Sequence, residues 1–184
     1  NAMKFDLDQA NDPNKYDAYN WTAGPAELQR MYDQIAAARH AVGPNTDILV
    51  DMHGRYDAVT GQAVAKLLEP LKLLWLEEPI PAENVEAYKR ITESTSTPIA
   101  AGENHYLAHG LRRLLEIGGV DIVMPDLQKA GGLGEGQRIA NLANLYYTPF
   151  APHMVASFLG AMASCHVCAS VPNFLILEWQ SYFH

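Results

Sequence analysis

Three short apolar runs in this chain each end in an acid, and the acids are evenly stepped: 26 residues separate Asp51 from Glu77, and 26 more separate Glu77 from Glu103. A step of that length is about one strand, one crossover helix and two turns, so a parallel sheet would deliver all three carboxylates to the same rim. In a closed parallel barrel that rim is the C-terminal face, where active sites of the architecture are built. The rest of the chain keeps the same rhythm. Seven β-type runs are expected, at Met3 to Leu7, Asp47 to Asp51, Leu73 to Glu77, Pro98 to Glu103, Val120 to Asp126, Thr148 to His153 and Phe174 to Glu178. Most lack alternation, as expected of strands covered on both faces. Between them lie segments of helical period. The first opens at Pro25, carries Leu28, Met31 and Ile35 at spacings of three and four, and stops at Gly43-Pro44. Others run from about Ala58 to Leu68, Ala82 to Thr92, Ala108 to Ile117, Gly134 to Leu145 and Phe158 to Ala169. The stretch from Asp8 to Gly24, rich in Asn, Asp and Tyr, is long enough to be a functional loop at a strand's C-terminal end.

Several function classes fall away on composition. Thirteen basic against twenty-one acidic residues leave a formal charge of −8 with no Lys/Arg cluster, so nucleic acid is not an expected partner. Between Ile139 and Leu177 there is no Asp, Glu, Lys or Arg, yet Pro149, Pro152 and Pro172 cut the run into pieces shorter than the roughly 20 residues a membrane span needs. Lys4, Asp6 and Asp8 occupy the place an apolar signal segment would take. Cys165 and Cys168 lack a second pair to complete a zinc site, so they read as two reduced, buried thiols in a helix, which suits the cytoplasm. Gly131-Gly132-Leu133-Gly134-Glu135-Gly136 matches neither the dinucleotide fingerprint nor the P-loop. Asn1-Ala2 before Met3 looks like a tag remnant, which leaves residues 3–184 as one partial barrel.

Three adjacent carboxylates raise one another's pKa unless a cation lies between them. All-oxygen ligation by Asp51, Glu77 and Glu103 points to one Mg²⁺, with positions left open for water and substrate. Taken singly, each acid reads as a solvated strand end; taken together at equal spacing, they read as a metal site. The next two runs end in Asp126 and His153, and a carboxylate beside an imidazole fixes its tautomer and raises its basicity. By itself His153 reads equally well as a core or turn histidine. Glu178 ends the last run, and Lys4 in the first offers a cation to a bound anion.

Asp51-Met52-His53, Glu77-Glu78-Pro79, Gly102-Glu103-Asn104, Pro125-Asp126, Ala151-Pro152-His153 and Leu177-Glu178-Trp179 together resemble the strand-end motifs of the mandelate racemase subgroup of the enolase superfamily. The resemblance implies an α/β fold, a (β/α) TIM-type barrel, here incomplete with about seven strands and with the capping domain and first strand absent. It also implies Mg²⁺ at Asp51, Glu77 and Glu103, an Asp126–His153 base dyad, and Glu178 as a hydrogen-bonding partner of the substrate's carboxylate or enolate oxygen. Lys4-Phe5-Asp6 departs from the Lys-x-Lys that the racemases resemble, so a second base is missing and one-base elimination is favoured over racemisation. Asp51-x-His53 resembles the sugar-acid dehydratases of the galactonate dehydratase kind, with His53 as the acid for the departing hydroxyl, or else an outer hydrogen-bonding partner of Asp51. Arg55, Asn104, His105 and Lys129 line the pocket or support loops. The expected partners are a small-molecule sugar acid and further copies of the chain in a homo-oligomer. A truncated, catalytically silent barrel fragment and a racemase or epimerase of the same superfamily are the alternatives.

Overall fold

The computed structural model describes residues 2–8, 21–155 and 157–179. Its strands are β1 (Ala2–Asp6), β2 (Asp47–Asp51), β3 (Trp75–Glu77), β4 (Ile99–Ala101) and β5 (Ile122–Val123), in a parallel sheet of that order. The helices are α1 (Pro25–Val42), α2 (Ala58–Leu67), α3 (Val85–Thr92), α4 (Leu107–Glu116), α5 (Leu127–Ala130), α6 (Leu133–Leu145) and α7 (Phe158–Cys168). The chain divides into two compact units at Ile99/Ala100.

In the first unit, β1 pairs with β2 and β2 with β3, each in parallel register, with α1 and α2 supplying the crossovers and α3 following β3. Local chemistry marks the helix ends. Pro25 sits in the first turn of α1, where a missing N–H costs nothing. Gly43, at φ +74°, ends the helix by donating its N–H to Arg39 O at 3.0 Å. Asp57 and Asn84 cap α2 and α3 by accepting from Thr60 N and Ala87 N. Ile48, Val50 and Leu76 of the sheet are fully buried, as are Met31 and Ile35 of α1 and Val64 of α2. Burial of each such side chain contributes about 1.5–3 kcal/mol.

The second unit packs α4 and α6 together, with α5 and α7 against α6. Leu111, Leu114, Ile139, Ala140 and Phe150 are among its fully buried side chains. Here the strands are shorter than the sequence suggests. Pro125 cuts the fifth run back to Ile122–Val123, while the sixth and seventh expected strands reduce to single bridges, Val123 with Phe150, Asp126 with His153, and Phe150 with Phe174. Donor loss contributes: Pro149 and Pro152 carry no N–H for a ladder, and the pairing that remains runs through separate bonds, Val123 N to Pro149 O and Ala151 N to Val123 O at 3.0 Å, Phe150 N to Asn173 O at 2.8 Å and Leu175 N to Phe150 O at 2.9 Å. The expectation of seven strands is therefore corrected to five among the described residues. β1 also starts at Ala2, paired with Asp47, so the residue set aside as a tag remnant belongs to the sheet. Most of the expected loop from Asp8 to Gly24 lies outside the described residues.

Candidate functional site

The first unit brings its acids together by register. Asp6 pairs with Asp51 and Asp51 with Glu77, so three carboxylates form one row across the C-terminal ends of β1, β2 and β3. Lys4, two residues back on the same face of β1, places Nζ 2.9 Å from Asp51 Oδ2 and 2.7 Å from Glu77 Oε1. Glu77 is fully buried, and Trp75 Nε1 donates to its Oε2 at 3.0 Å. Burial, then the charge of Asp51, pushes the Glu77 carboxyl well above the usual carboxylate range, with Lys4 pulling the other way. The expectation for Lys4 was charge offset on a bound anion; its ammonium is engaged with two acids of the chain itself.

His53 lies just beyond β2 in the left-handed region at φ +50°. Its N–H donates to Asp51 Oδ1 at 2.8 Å, and its ring Nε2 stands 3.5 Å from Asp51 Oδ2, so the residue is a hydrogen-bonding partner of Asp51. Its Nδ1 lies 2.9 Å from Asp8 Oδ1, and that contact first, against burial, holds the imidazole up at about 9. Asp8 Oδ2 in turn lies 3.2 Å from Arg55 Nε. Asp6, Asp51 and His53 each offer a metal-ligating atom within 4.8 Å of the others.

In the second unit the acids do not end strands. Glu103 follows β4 after Gly102, whose φ of +146° is costly for other residues and whose Cβ would come within 2.9 Å of the Met124 backbone. The expectation that Glu103 terminates a strand is corrected accordingly. Asp126 lies three residues past β5 and caps α5: Oδ1 accepts from Gln128 N at 2.9 Å and Lys129 N at 3.1 Å, leaving Oδ2 at 2.9 Å from His153 Nδ1. The Asp126 carboxyl is held low; burial opposes this, but the His153 contact and the two backbone donors prevail. His153 Nε2 stands 2.9 Å from Glu103 Oε2 and 3.7 Å from Glu178 Oε2. Burial would lower the His153 pKa, yet Asp126 and then Glu103 raise it to about 10. Glu178 Oε2 also accepts from Met154 N at 3.0 Å, and Lys129 Nζ lies 3.7 Å from Glu103 Oε1. Cys165 and Cys168 are free thiols on α7, with Cys168 buried and Cys165 only partly so, against the expectation of two buried thiols.

Asp8 and Trp75 are the contributors that the sequence did not single out. A signal for Asp8 was present: Lys4, Asp6 and Asp8 alternate, as side chains on one face of a strand must.

The family described as Enolase C-terminal domain-like matches residues 3–184, and the chain belongs to it. Among curated relatives, it is 42% identical over 181 residues to a D-xylonate dehydratase of Haloferax volcanii, covering 98% of this chain and 44% of that protein. It is 39% identical over 157 residues to a D-galactonate dehydratase of Variovorax paradoxus, covering 85% of this chain and 41% of that protein. Among solved structures, a mandelate racemase/muconate lactonizing enzyme-like protein from Rubrobacter xylanophilus superimposes with a TM-score of 0.92 at 49% identity, over 98% of this chain and 46% of that one. A member of the enolase superfamily from Salmonella Typhimurium gives 0.91 at 30% identity, over 98% and 47%. The chain thus spans less than half the length of each of these proteins. Among the described residues no helix is long and apolar enough to cross a membrane.

Proposed function

We propose that this chain carries the metal-binding and acid/base groups of a Mg²⁺-dependent hydro-lyase that removes water from a sugar acid, an aldonate or aldarate, after abstraction of the proton α to its carboxylate. The observation that carries this reading is the pair of Asp–His contacts, Asp126 with His153 and Asp8 with His53, each at 2.9 Å. Elimination needs one base for carbon and one acid for oxygen. The relatives named as D-xylonate and D-galactonate dehydratases favour the same chemistry.

The donor set fits a hard cation. Asp51 and Glu77 are neighbours in register, nearly or fully buried, and drawn to the ammonium of Lys4. With Glu103, the acid one equal step further along the chain, they make up the proposed all-carboxylate ligand set for one divalent ion. Bound there, Mg²⁺ supplies positive charge for the carboxylate oxygens on which charge builds as the α-proton leaves.

His153 takes that proton on Nε2 while Asp126 holds its Nδ1–H. His53 gives the Nε2 proton to the departing hydroxyl, which leaves as water with the electron pair of the C–O bond. Glu178 donates or accepts at the substrate's carboxylate, and Lys4 steadies the charge of Asp51 and Glu77. Asp6, in place of a second lysine base, favours elimination over racemisation or epimerisation. The free thiols suit a reducing compartment such as the cytoplasm, and a homo-oligomer would supply further surface around a chain of this size.

A catalytically silent fragment that keeps the metal-binding groups is the competing reading. A panel of aldonic and aldaric acids, assayed for 2-keto-3-deoxy products, separates the two. Product with Mg²⁺ and none with EDTA supports the hydro-lyase; no product from any acid, with Mg²⁺ still bound, supports the fragment.

A further inference from the structure

We infer that Asp8, held by Arg55, is the positioning residue for His53, so that the first unit has a dyad of its own in which Asp8 dictates which ring nitrogen can release a proton. The inference rests on the hydro-lyase reading for what the proton is used for, and on geometry alone for where the proton sits.

The Asp8 side chain retains 4% of its exposure, whereas that of His53 retains 39%. A carboxylate withdrawn from water to that extent is costly unless it is partnered. Its two oxygens are divided between two partners: Oδ1 faces His53 Nδ1 at 2.9 Å and Oδ2 faces Arg55 Nε at 3.2 Å. Arg55 is itself anchored. Its guanidinium lies over the Trp21 ring at 5.4 Å, its carbonyl accepts from Trp21 N at 2.9 Å, and Trp21 packs edge-on against Tyr56 at 5.4 Å. The permanent charge of Arg55 keeps Asp8 an acceptor, and an acceptor at Nδ1 requires the proton there. Nε2 is then the nitrogen presented toward Asp51 Oδ2, 3.5 Å away.

The backbone completes the arrangement. At φ +50° His53 accepts a conformation that costs about 1 kcal/mol or more outside glycine, and its N–H is tied to Asp51 Oδ1 at 2.8 Å. The ring therefore stands between two carboxylates with distinct duties. Asp51 faces the nitrogen that gives up its proton, and Asp8 faces the nitrogen that keeps one. When the N–H bond at Nε2 breaks and the new O–H bond forms on the leaving hydroxyl, the imidazole left behind is neutral, with its remaining hydrogen on Nδ1 and directed at Asp8.

The test uses the whole chain with Mg²⁺ and D-xylonate as probe, comparing wild type with Asp8→Ala and with Asp8→Asn, which keeps an acceptor oxygen without the charge. Two rates are read: water loss, and exchange of the α-hydrogen with deuterated solvent. Dehydration should fall about 10- to 100-fold in Asp8→Ala and less in Asp8→Asn, with exchange held within about twofold, because exchange depends on His153. Equal falls in both rates, or no fall in dehydration, overturn the inference. Should wild type catalyse neither reaction with D-xylonate, a second measurement decides alone. In protein labelled with [¹⁵N]histidine, the His53 signals, assigned by their loss in His53→Gln, should show a slowly exchanging Nδ1–H that disappears in Asp8→Ala. Its persistence there overturns the positioning role.

Discussion

Replacing Lys4 by methionine keeps most of the buried stem and removes the ammonium that stands 2.9 Å from Asp51 and 2.7 Å from Glu77. Breaking a buried ion pair from one side costs about 3–5 kcal/mol, because the remaining charge has no partner. The Lys4 side chain keeps 21% of its exposure, so the lower end, about 3 kcal/mol, is the expectation when both acids are ionised. The loss should depend on pH. Glu77 has its folded pKa raised above the unfolded value, so its ionisation penalises the fold as pH rises from the ordinary carboxylate range through the raised one. Removing Lys4 lifts the folded value further, which widens the penalty upward. At pH 5 Glu77 carries its proton in the fold, and Lys4→Met should cost only about 1 kcal/mol, one weakened contact with Asp51. Thermal unfolding followed by circular dichroism in EDTA reads this directly. For a chain of this length each kcal/mol moves Tm by about 2–4 °C, so the expected drop is roughly 2–4 °C at pH 5 and grows as pH rises through and above the raised Glu77 range, toward roughly 6–12 °C where Glu77 is ionised. A drop that does not grow with pH would refute the electrostatic account.

Two further outcomes are expected. His153→Asn should abolish exchange of the substrate's α-hydrogen with deuterated solvent while leaving Mg²⁺ affinity, measured by calorimetry, within about threefold, an expectation that follows from the base role alone; continued exchange would reject that role. Gly102→Ala should destabilise the chain by about 2–3 kcal/mol, from a positive φ and a Cβ placed 2.9 Å from the Met124 backbone, and denaturant unfolding with an unchanged midpoint would show that the turn into Glu103 is not constrained.

The acids were legible because a parallel sheet converts sequence spacing into position. Asp51 and Glu77 end β2 and β3 as their apolar runs suggest, and α1 begins at Pro25 and stops before Gly43 as proline and glycine dictate. The Asp126–His153 contact was legible too, since both residues close runs one unit apart. The later strands were not. Apolar composition makes Thr148 to His153 look extended, but two prolines remove the ladder donors, and hydrophobicity does not register a missing N–H. The strand before Glu103 was drawn two residues too long because it ends at Ala101, ahead of Gly102 at a positive φ. Asp8 escaped notice because its importance comes from Arg55, distant in sequence, which meets it through the turn after β2 and is itself braced by the Trp21 ring.

Among the described residues β1 pairs with β2 and stands at one end of the strand order. A free margin invites pairing with a stranger, and charge on the strand is the usual deterrent. Lys4 and Asp6 are that deterrent as well as parts of the site. Variants that neutralise them trade chemistry for stickiness, and their refolding yield should fall as protein concentration rises, quite apart from any change in the stability of a single molecule.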